Sequence, residues 1–381
     1  MRPRKTTSVT HTNHAFLFSK LYQVKMGRDH DMVSSLVRIL YLITNSLYHE
    51  ALGRDFRLSV KRIAIISFFA IFIPCIIAWN HIGFLLDDII FSDWRHMEVD
   101  RPVFVVGNAR SGTTWLHRLL CASDSSTFTS LRTWEILFAA SVTWRWLFYT
   151  LHKIDNDYFF GSIYHFIRAV DRHLFAHIHV HPVGLFEFEE DEWLMTHIGL
   201  SQLLLLLFPG AAGFMDKVVH FDCCSSYISD ADGALSNAAQ RNFLTPSRQG
   251  HIQAPEEPTL AQPARLSILS YYRQCVKRHM YFHSVLHPVA RNRNNSTVPD
   301  RLVHSARLVF VSKNPTFTLR VESLYRVFPD AYVVCMVRSP KDSVPSMVSY
   351  IAQVSIMYVC YLHIEDLLCG ICVYIECFIP T

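Results

Sequence analysis

Between Arg101 and Cys121 the chain reads as apolar strand, short loop and helix, and this order restricts the folds open to it more than any other feature. Pro102-Val-Phe-Val-Val-Gly107 is an unbroken apolar run closed by glycine, the pattern of a parallel strand covered on both faces. From Thr113 to Cys121 the pattern is helical, with Trp115, Leu116, Leu119 and Leu120 expected on one side. Two more strand-like runs, Arg307 to Ser312 and Ala331 to Val337, flank a helical pattern from about Thr318 to Phe328. Buried strands alternating with helices predict an α/β fold: a P-loop-like parallel sheet with right-handed crossovers, flanked by helices.

The loop Gly107-Asn-Ala-Arg110-Ser111-Gly112-Thr113-Thr114-Trp115 lies where a strand hands over to a helix. Unpaired backbone N–H groups and the positive end of the helix dipole stabilise an anion at such a junction. Arg110 adds a forked cationic donor, and Ser111, Thr113 and Thr114 add hydroxyls. The segment from Arg110 to Trp115 is therefore expected to bind phosphate or sulfate. A nucleoside triphosphatase would carry lysine directly after the second glycine, but Thr113 follows Gly112. The Asp that would help hold magnesium at a neighbouring strand end is also not evident, because Val337 is followed by Arg338. Triphosphate hydrolysis is a poor fit.

Val-Gly-Asn-Ala-Arg-Ser-Gly-Thr-Thr-Trp-Leu resembles the 5′-phosphosulfate loop of the sulfotransferase superfamily, in the arginine-bearing version often used by membrane-associated members. Further on, Arg338-Ser-Pro-Lys-Asp-Ser-Val-Pro-Ser346 resembles that family's 3′-phosphate site, where an arginine ends a strand and a serine follows eight positions later. Ser312-Lys313-Asn314-Pro315, Leu324 to Asp330 and Pro182 to Leu194 resemble other family segments. The resemblance implies transfer of a sulfuryl group from 3′-phosphoadenosine-5′-phosphosulfate (PAPS), without a metal, to a hydroxyl or amine of a carbohydrate, lipid or other small acceptor. It places the donor's phosphosulfate on Arg110, Ser111, Gly112, Thr113, Thr114 and Trp115, and its 3′-phosphate on Arg338 and Ser346. Arg110 and Lys313 would stabilise the departing phosphate. Many relatives carry histidine shortly after that lysine, whereas here Pro315, Thr316 and Phe317 follow. Glu135, where several Golgi-type relatives place a catalytic glutamate, and Glu190, in the acidic cluster Glu187 to Glu192, are both candidates for the base.

From Ile63 to Leu86 run 24 residues without Asp, Glu, Lys or Arg, enough for a helix to cross the roughly 30 Å bilayer core. Arg54, Arg57, Lys61 and Arg62 precede it, and Asp87, Asp88 and Asp93 follow. The positive-inside rule then gives a type II protein with its catalytic part in the Golgi or another secretory lumen. The sequon Asn295-Ser296-Thr297 agrees with that placement. A buried core helix is the competing reading of the same run. Val33, Leu36, Val37, Leu40 and Ile43 predict a further helix in the N-terminal segment 1–62, lying on a membrane surface or packed.

The core is expected over 95–350, with one long apolar helix from Glu192 to Phe208, a polar insertion at about 216–265 and a helix from Leu266 to His283. Past Tyr350 the readable resemblance ends, and 351–381 is an apolar, Cys-rich tail. We read it as a truncated or alternatively spliced ending that weakens donor binding. The alternative to an enzyme is thus a catalytically inactive relative with a binding or interaction role. His173, His177, His179 and His181 have ligand spacing without a closing set of Cys or carboxylates, and Cys369-Gly-Ile-Cys372 lacks a redox context. The net charge of +4 is mild and dispersed, which argues against nucleic acid as the partner.

Overall fold

The computed structural model describes residues 31–51, 59–124, 126–175, 184–208, 222, 262–287 and 308–358. The helices are α1 (Met32–Ala51), α2 (Val60–Ile90), α3 (Thr113–Ser123), α4 (Thr133–Phe138), α5 (Val142–Phe159), α6 (Ser162–Phe175), α7 (Leu204–Leu207), α8 (Gln262–Tyr281), α9 (Val321–Val327) and α10 (Pro340–Tyr358). The strands are β1 (Val103–Gly107), β2 (Phe128–Thr129), β3 (Val309–Lys313) and β4 (Tyr332–Met336).

The four strands form one parallel sheet in the order β2-β3-β1-β4. Central β1 sets Val103 opposite Val311 on one side and Tyr332 on the other. Its alternating side chains feed two apolar clusters, as a strand covered on both faces requires. Phe104 and Val106 join Leu131, Ile136, Met195, Tyr272, Phe317 and Phe328, while Val105 meets Cys121 and Val311 on the other side. Phe104 and Tyr272 both contact Phe317 edge-on, at 5.8 and 5.0 Å between centroids. That arrangement adds quadrupole attraction to the burial. Because the strands are parallel, the loop after β1, Lys313 at the end of β3 and the residues following β4 all gather at the carboxyl edge of the sheet, where open α/β folds place their ligands.

Several expectations need correcting. The Glu192–Phe208 helix is instead a 3₁₀ segment, Asp191–Ile198, followed by the single turn α7. Gly199 breaks it by turning left-handed (φ 68°), and buried Arg38 of α1 donates to the freed Ile198 carbonyl at 2.9 Å. The helix expected from Thr318 starts at Val321, behind a 3₁₀ turn over Pro315–Leu319. In α3 the buried side runs through Thr113, His117 and Cys121, leaving Trp115 and Leu119 exposed. In α1 the face turned inward carries Ile39, Leu42 and Ile43, while Val33, Val37 and Leu40 are exposed. His173 lies in α6. The other histidines of that set, the sequon, the Cys369–Cys372 pair, most of the polar insertion and the tail beyond Tyr358 lie outside the described residues.

The helix α2 outlasts the apolar run at both ends and is long and apolar enough to cross a membrane. It does not stand clear of the fold. One face carries Ile66, Ile73 and Ile77 against Ile39, Leu42, Ile43, Leu204, Leu207 and Phe208. At its start buried Arg62 donates to the Leu207 carbonyl at 2.7 Å. Near its end Asp87 accepts from the backbone N–H groups of Val142 and Thr143 and from Arg278. The other face shows Ile63, Phe68, Ile71, Ile82 and Leu85 to the outside.

Candidate active site

Two glycines shape the loop after β1. At Gly107 (φ 131°) an added Cβ would lie 2.2 Å from the Met336 carbonyl, so no other residue permits β1 and β4 to close here. Gly112 opens α3 in the left-handed region (φ 88°). Between them Arg110 also holds a positive φ, 66°, a strain of order 1–3 kcal/mol that persists only where the surroundings enforce it. Thr318 helps to do so, its hydroxyl accepting from the Gly107 N–H at 2.9 Å.

The same fold joins the loop to the second motif, 236 positions away. Arg110 Nε donates to Ser346 Oγ at 2.9 Å, and Arg338 Nη1 donates to the Arg110 carbonyl at 3.0 Å. Tyr350 lies under the Arg110 guanidinium, 5.8 Å from its centre. Ser111 Oγ is buried with no partner among the described residues. A buried hydroxyl costs free energy unless something bonds it, and an anion seated at the start of α3 would supply the missing acceptor.

At the end of β3 the Lys313 ammonium contacts the Glu190 carboxylate directly. Lys313 is 1% exposed and Glu190 21%, so the cation is compensated inside the protein while its partner keeps a path to solvent. The turn after Lys313 is held by Glu192, which accepts from Thr316 Oγ1 at 2.8 Å, Asn314 Nδ2 at 3.2 Å and buried Arg320 at 3.4 Å. Glu189 accepts from the Glu190 N–H. The acidic cluster thus divides: Glu190 faces Lys313, and Glu189, Asp191 and Glu192 are buried scaffold. His117 of α3 is another member of this neighbourhood, bonded through Nε2 to Ser130 Oγ at 2.7 Å. Burial first, and the Lys313 charge second, lower its pKa to about 3 and keep the imidazole neutral. No sequence signal marked His117, because the stripe expected on this helix ran through Trp115, Leu116, Leu119 and Leu120.

Glu135 has different surroundings. It is 1% exposed, closes the start of α4 by accepting from the Arg132 N–H at 3.0 Å, and receives Arg145 Nε and His283 Nε2 at 3.1 Å each. Burial alone would raise its pKa, yet bonding to His279, His283 and Arg145 holds it well below the carboxylate range. Glu135, His279 and His283 present ligand atoms within 4.8 Å of one another. The fully buried Arg145 guanidinium already occupies the same carboxylate oxygen, and a divalent cation beside it would be repelled.

A family model for the sulfotransferase family matches residues 102–367, more than half of the chain. The chain belongs to the sulfotransferase family. The match begins just before β1 and runs past Tyr350, beyond the last motif legible in the sequence, and it leaves α1 and α2 outside. Among solved structures this sulfotransferase is similar to sulfotransferase STF1 from Mycobacterium tuberculosis H37Rv, with 16% identity and a TM-score of 0.50 over 98% of this chain and 80% of that one. It is also similar to sulfotransferase STF9 from Mycobacterium avium, with 13% identity and a TM-score of 0.50 over 98% and 76% of the respective chains. At such identities the likeness is one of fold. No curated protein sequence matches. Membership supports sulfuryl transfer and implies PAPS as the co-substrate. The phosphosulfate would meet the start of α3 and Ser111, whose unpartnered hydroxyl fits it.

Asp191 supplies a test of the scaffold. It accepts from the Tyr272 hydroxyl, and burial pushes its pKa up to about 7. Its folded pKa lies above its unfolded one, so the folded state holds the proton longer and stability falls as pH rises from about 4 toward 7. Asp191→Asn keeps an acceptor for Tyr272 without the titration. Urea unfolding at pH 5 and pH 8 is expected to show a shallower loss of stability in the variant, and equal pH slopes would refute the account.

Proposed function

We propose that this chain transfers the sulfuryl group of PAPS to an acceptor hydroxyl, with Glu190 as general base and Lys313 as the cation at the leaving oxygen. The observation that carries the reading is the Lys313–Glu190 contact at the carboxyl edge of the sheet. The start of α3, with Arg110 to Trp115, receives the 5′-phosphosulfate, and Arg338 with Ser346 receives the 3′-phosphate. Glu190 takes the acceptor's proton as the acceptor oxygen bonds to sulfur and the bond from sulfur to the 5′-phosphate oxygen breaks. Lys313 and Arg110 stabilise the negative charge that develops on that oxygen. The paired resting state keeps Lys313 compensated until an anionic donor arrives, and donor binding then releases the Glu190 carboxylate toward the acceptor.

Arg338 is exposed and pairs with no carboxylate among the described residues. Calorimetry should find 3′-phosphoadenosine-5′-phosphate bound in preference to adenosine 5′-phosphate. Arg338→Ala should cost about tenfold or more in that preference, the worth of a charge-assisted phosphate contact. A folded protein that binds neither nucleotide would leave the inactive, interaction-only relative as the better account.

We also propose that the exposed apolar side of α2 seats the enzyme against a membrane, with the catalytic part packed along the opposite side of the helix and facing a secretory lumen such as the Golgi. Glycan addition at Asn295 in cells checks this, and an unglycosylated, protease-accessible chain on intact microsomes would count against it.

A further inference from the structure

Arg110 is held from three directions, and two of the groups that hold it come from one face of α10. Ser346 and Tyr350 are four residues apart in that helix, about one turn, so their side chains lie one above the other. Ser346 Oγ accepts from Arg110 Nε at 2.9 Å, and the Tyr350 ring centre lies 5.8 Å from the guanidinium carbon. The third hold is on the backbone, where exposed Arg338 donates to the Arg110 carbonyl at 3.0 Å. Hydroxyl and ring restrict the guanidinium in different ways. The hydrogen bond fixes where Nε points, and the negative face of the ring attracts the cation as a whole.

The direction of the Ser346 bond carries a further consequence. A serine hydroxyl has one proton to donate and lone pairs with which to accept. At Ser346 a lone pair is engaged by Arg110 Nε, so the proton points away from Arg110, and a phosphate dianion, which can only accept, is a suitable partner for it. Ser343, one turn earlier in α10, has no such part to play, being buried and donating to the Ser339 carbonyl at 3.2 Å. A chain in which each group accepts on one side and donates on the other strengthens its members together. Arg110 and Arg338 also bring two positive charges to one end of the sheet, where anions at both subsites offset their repulsion.

We propose that Ser346 and Tyr350 are positioning residues of the 5′-phosphosulfate subsite: they aim Arg110 at it, and Ser346 links the donor's two anionic ends by accepting from Arg110 while donating to the 3′-phosphate. The proposal rests on the donor reading given above and adds to it. Ser346 then serves both ends of the donor, and Tyr350 acts at the reacting end through Arg110 alone.

The test is calorimetry on the detergent-solubilised full chain with two probes, 3′-phosphoadenosine-5′-phosphate and adenosine 5′-phosphate, which lacks the 3′-phosphate. A serine that only contacts the 3′-phosphate is invisible to the second probe. Ser346→Ala is expected to weaken binding of adenosine 5′-phosphate by about three- to tenfold, the worth of one lost hydrogen bond, and to weaken the bisphosphate by more. In an Arg110→Met background the same change should cost adenosine 5′-phosphate nothing, because no guanidinium is left to aim. Tyr350→Leu should weaken adenosine 5′-phosphate by about two- to fivefold, and Tyr350→Phe, which keeps the ring, should restore it. Melting temperatures check that each variant is folded. If Ser346→Ala lowers affinity for the bisphosphate but leaves or raises that for adenosine 5′-phosphate, the proposal is overturned and the donor reading stands. A folded parent chain that binds neither probe overturns the donor reading and this proposal with it.

Discussion

Glu190→Gln is expected to lower kcat by about a hundred- to ten-thousand-fold, the range lost when a positioned base is removed, while affinity for 3′-phosphoadenosine-5′-phosphate and the melting temperature change little. The separation of effects follows from the geometry. Glu190 is the partly open member of its pair, and the amide oxygen of Gln can still accept from Lys313, so the buried ammonium keeps a partner. What is lost is the capacity to take a proton. Lys313→Ala should also depress kcat, through the leaving oxygen, and should in addition weaken donor binding. Glu187→Gln, an exposed change in the same acidic run, is the matched control. Single-turnover rates with saturating PAPS decide the matter once an acceptor is in hand. A Glu190→Gln enzyme within a few-fold of the parent would remove Glu190 from the chemistry.

What could be read from the sequence was what local pattern encodes. Strands β1 and β3 announced themselves because a strand covered on both faces needs a continuous apolar run, whereas β4, expected to be buried on the same pattern, is an edge strand that leaves Tyr332, Val334 and Cys335 exposed. The strand-to-helix loop from Gly107 to Trp115 announced itself because glycines in a fixed order mark the tight turn between β1 and α3. Pairings between distant segments left no such trace. The contact of Lys313 with Glu190 joins residues 123 positions apart, and Asp87 with Arg278 joins residues 191 apart. Each is one charge among many until the chain is folded. The break at Gly199 was equally hidden, because the apolar run Leu203 to Phe208 reads as helix, and only Arg38 donating to the Ile198 carbonyl fixes where the turn is satisfied. Helix faces failed for a related reason. Trp115, Leu119, Val33, Val37 and Leu40 are apolar and outward, and periodicity finds a stripe without saying what the stripe faces.

Glu135→Ala is expected to cost about 3–5 kcal/mol of folding stability, the penalty for stranding a buried cation, out of the roughly 5–15 kcal/mol that holds a typical protein folded. Arg145 is 0% exposed and its Nε leans on Glu135, while Nη1 and Nη2 have no partner among the described residues. Removal of the carboxylate therefore leaves a guanidinium in a dry interior without the nearest charge that offsets its desolvation. If the single variant does not fold, Glu135→Leu combined with Arg145→Met keeps the test alive. Exchanging a buried ion pair for apolar groups of similar volume is often close to neutral, so the double variant should melt above either single one. Acid supplies an independent check. The folded pKa of Glu135 is depressed, so the unfolded chain takes up the proton first, and this residue's stabilisation is lost as pH falls below about 4. The double variant should lack that part of the acid sensitivity. Activity per folded molecule separates the two roles of the carboxylate. A pivot between α4, α5 and α8 leaves kcat of the folded double variant near that of the parent, whereas a base would take kcat down with it. Near-parental stability in Glu135→Ala with a collapsed kcat would reverse the assignment and move the proton transfer from Glu190 to Glu135.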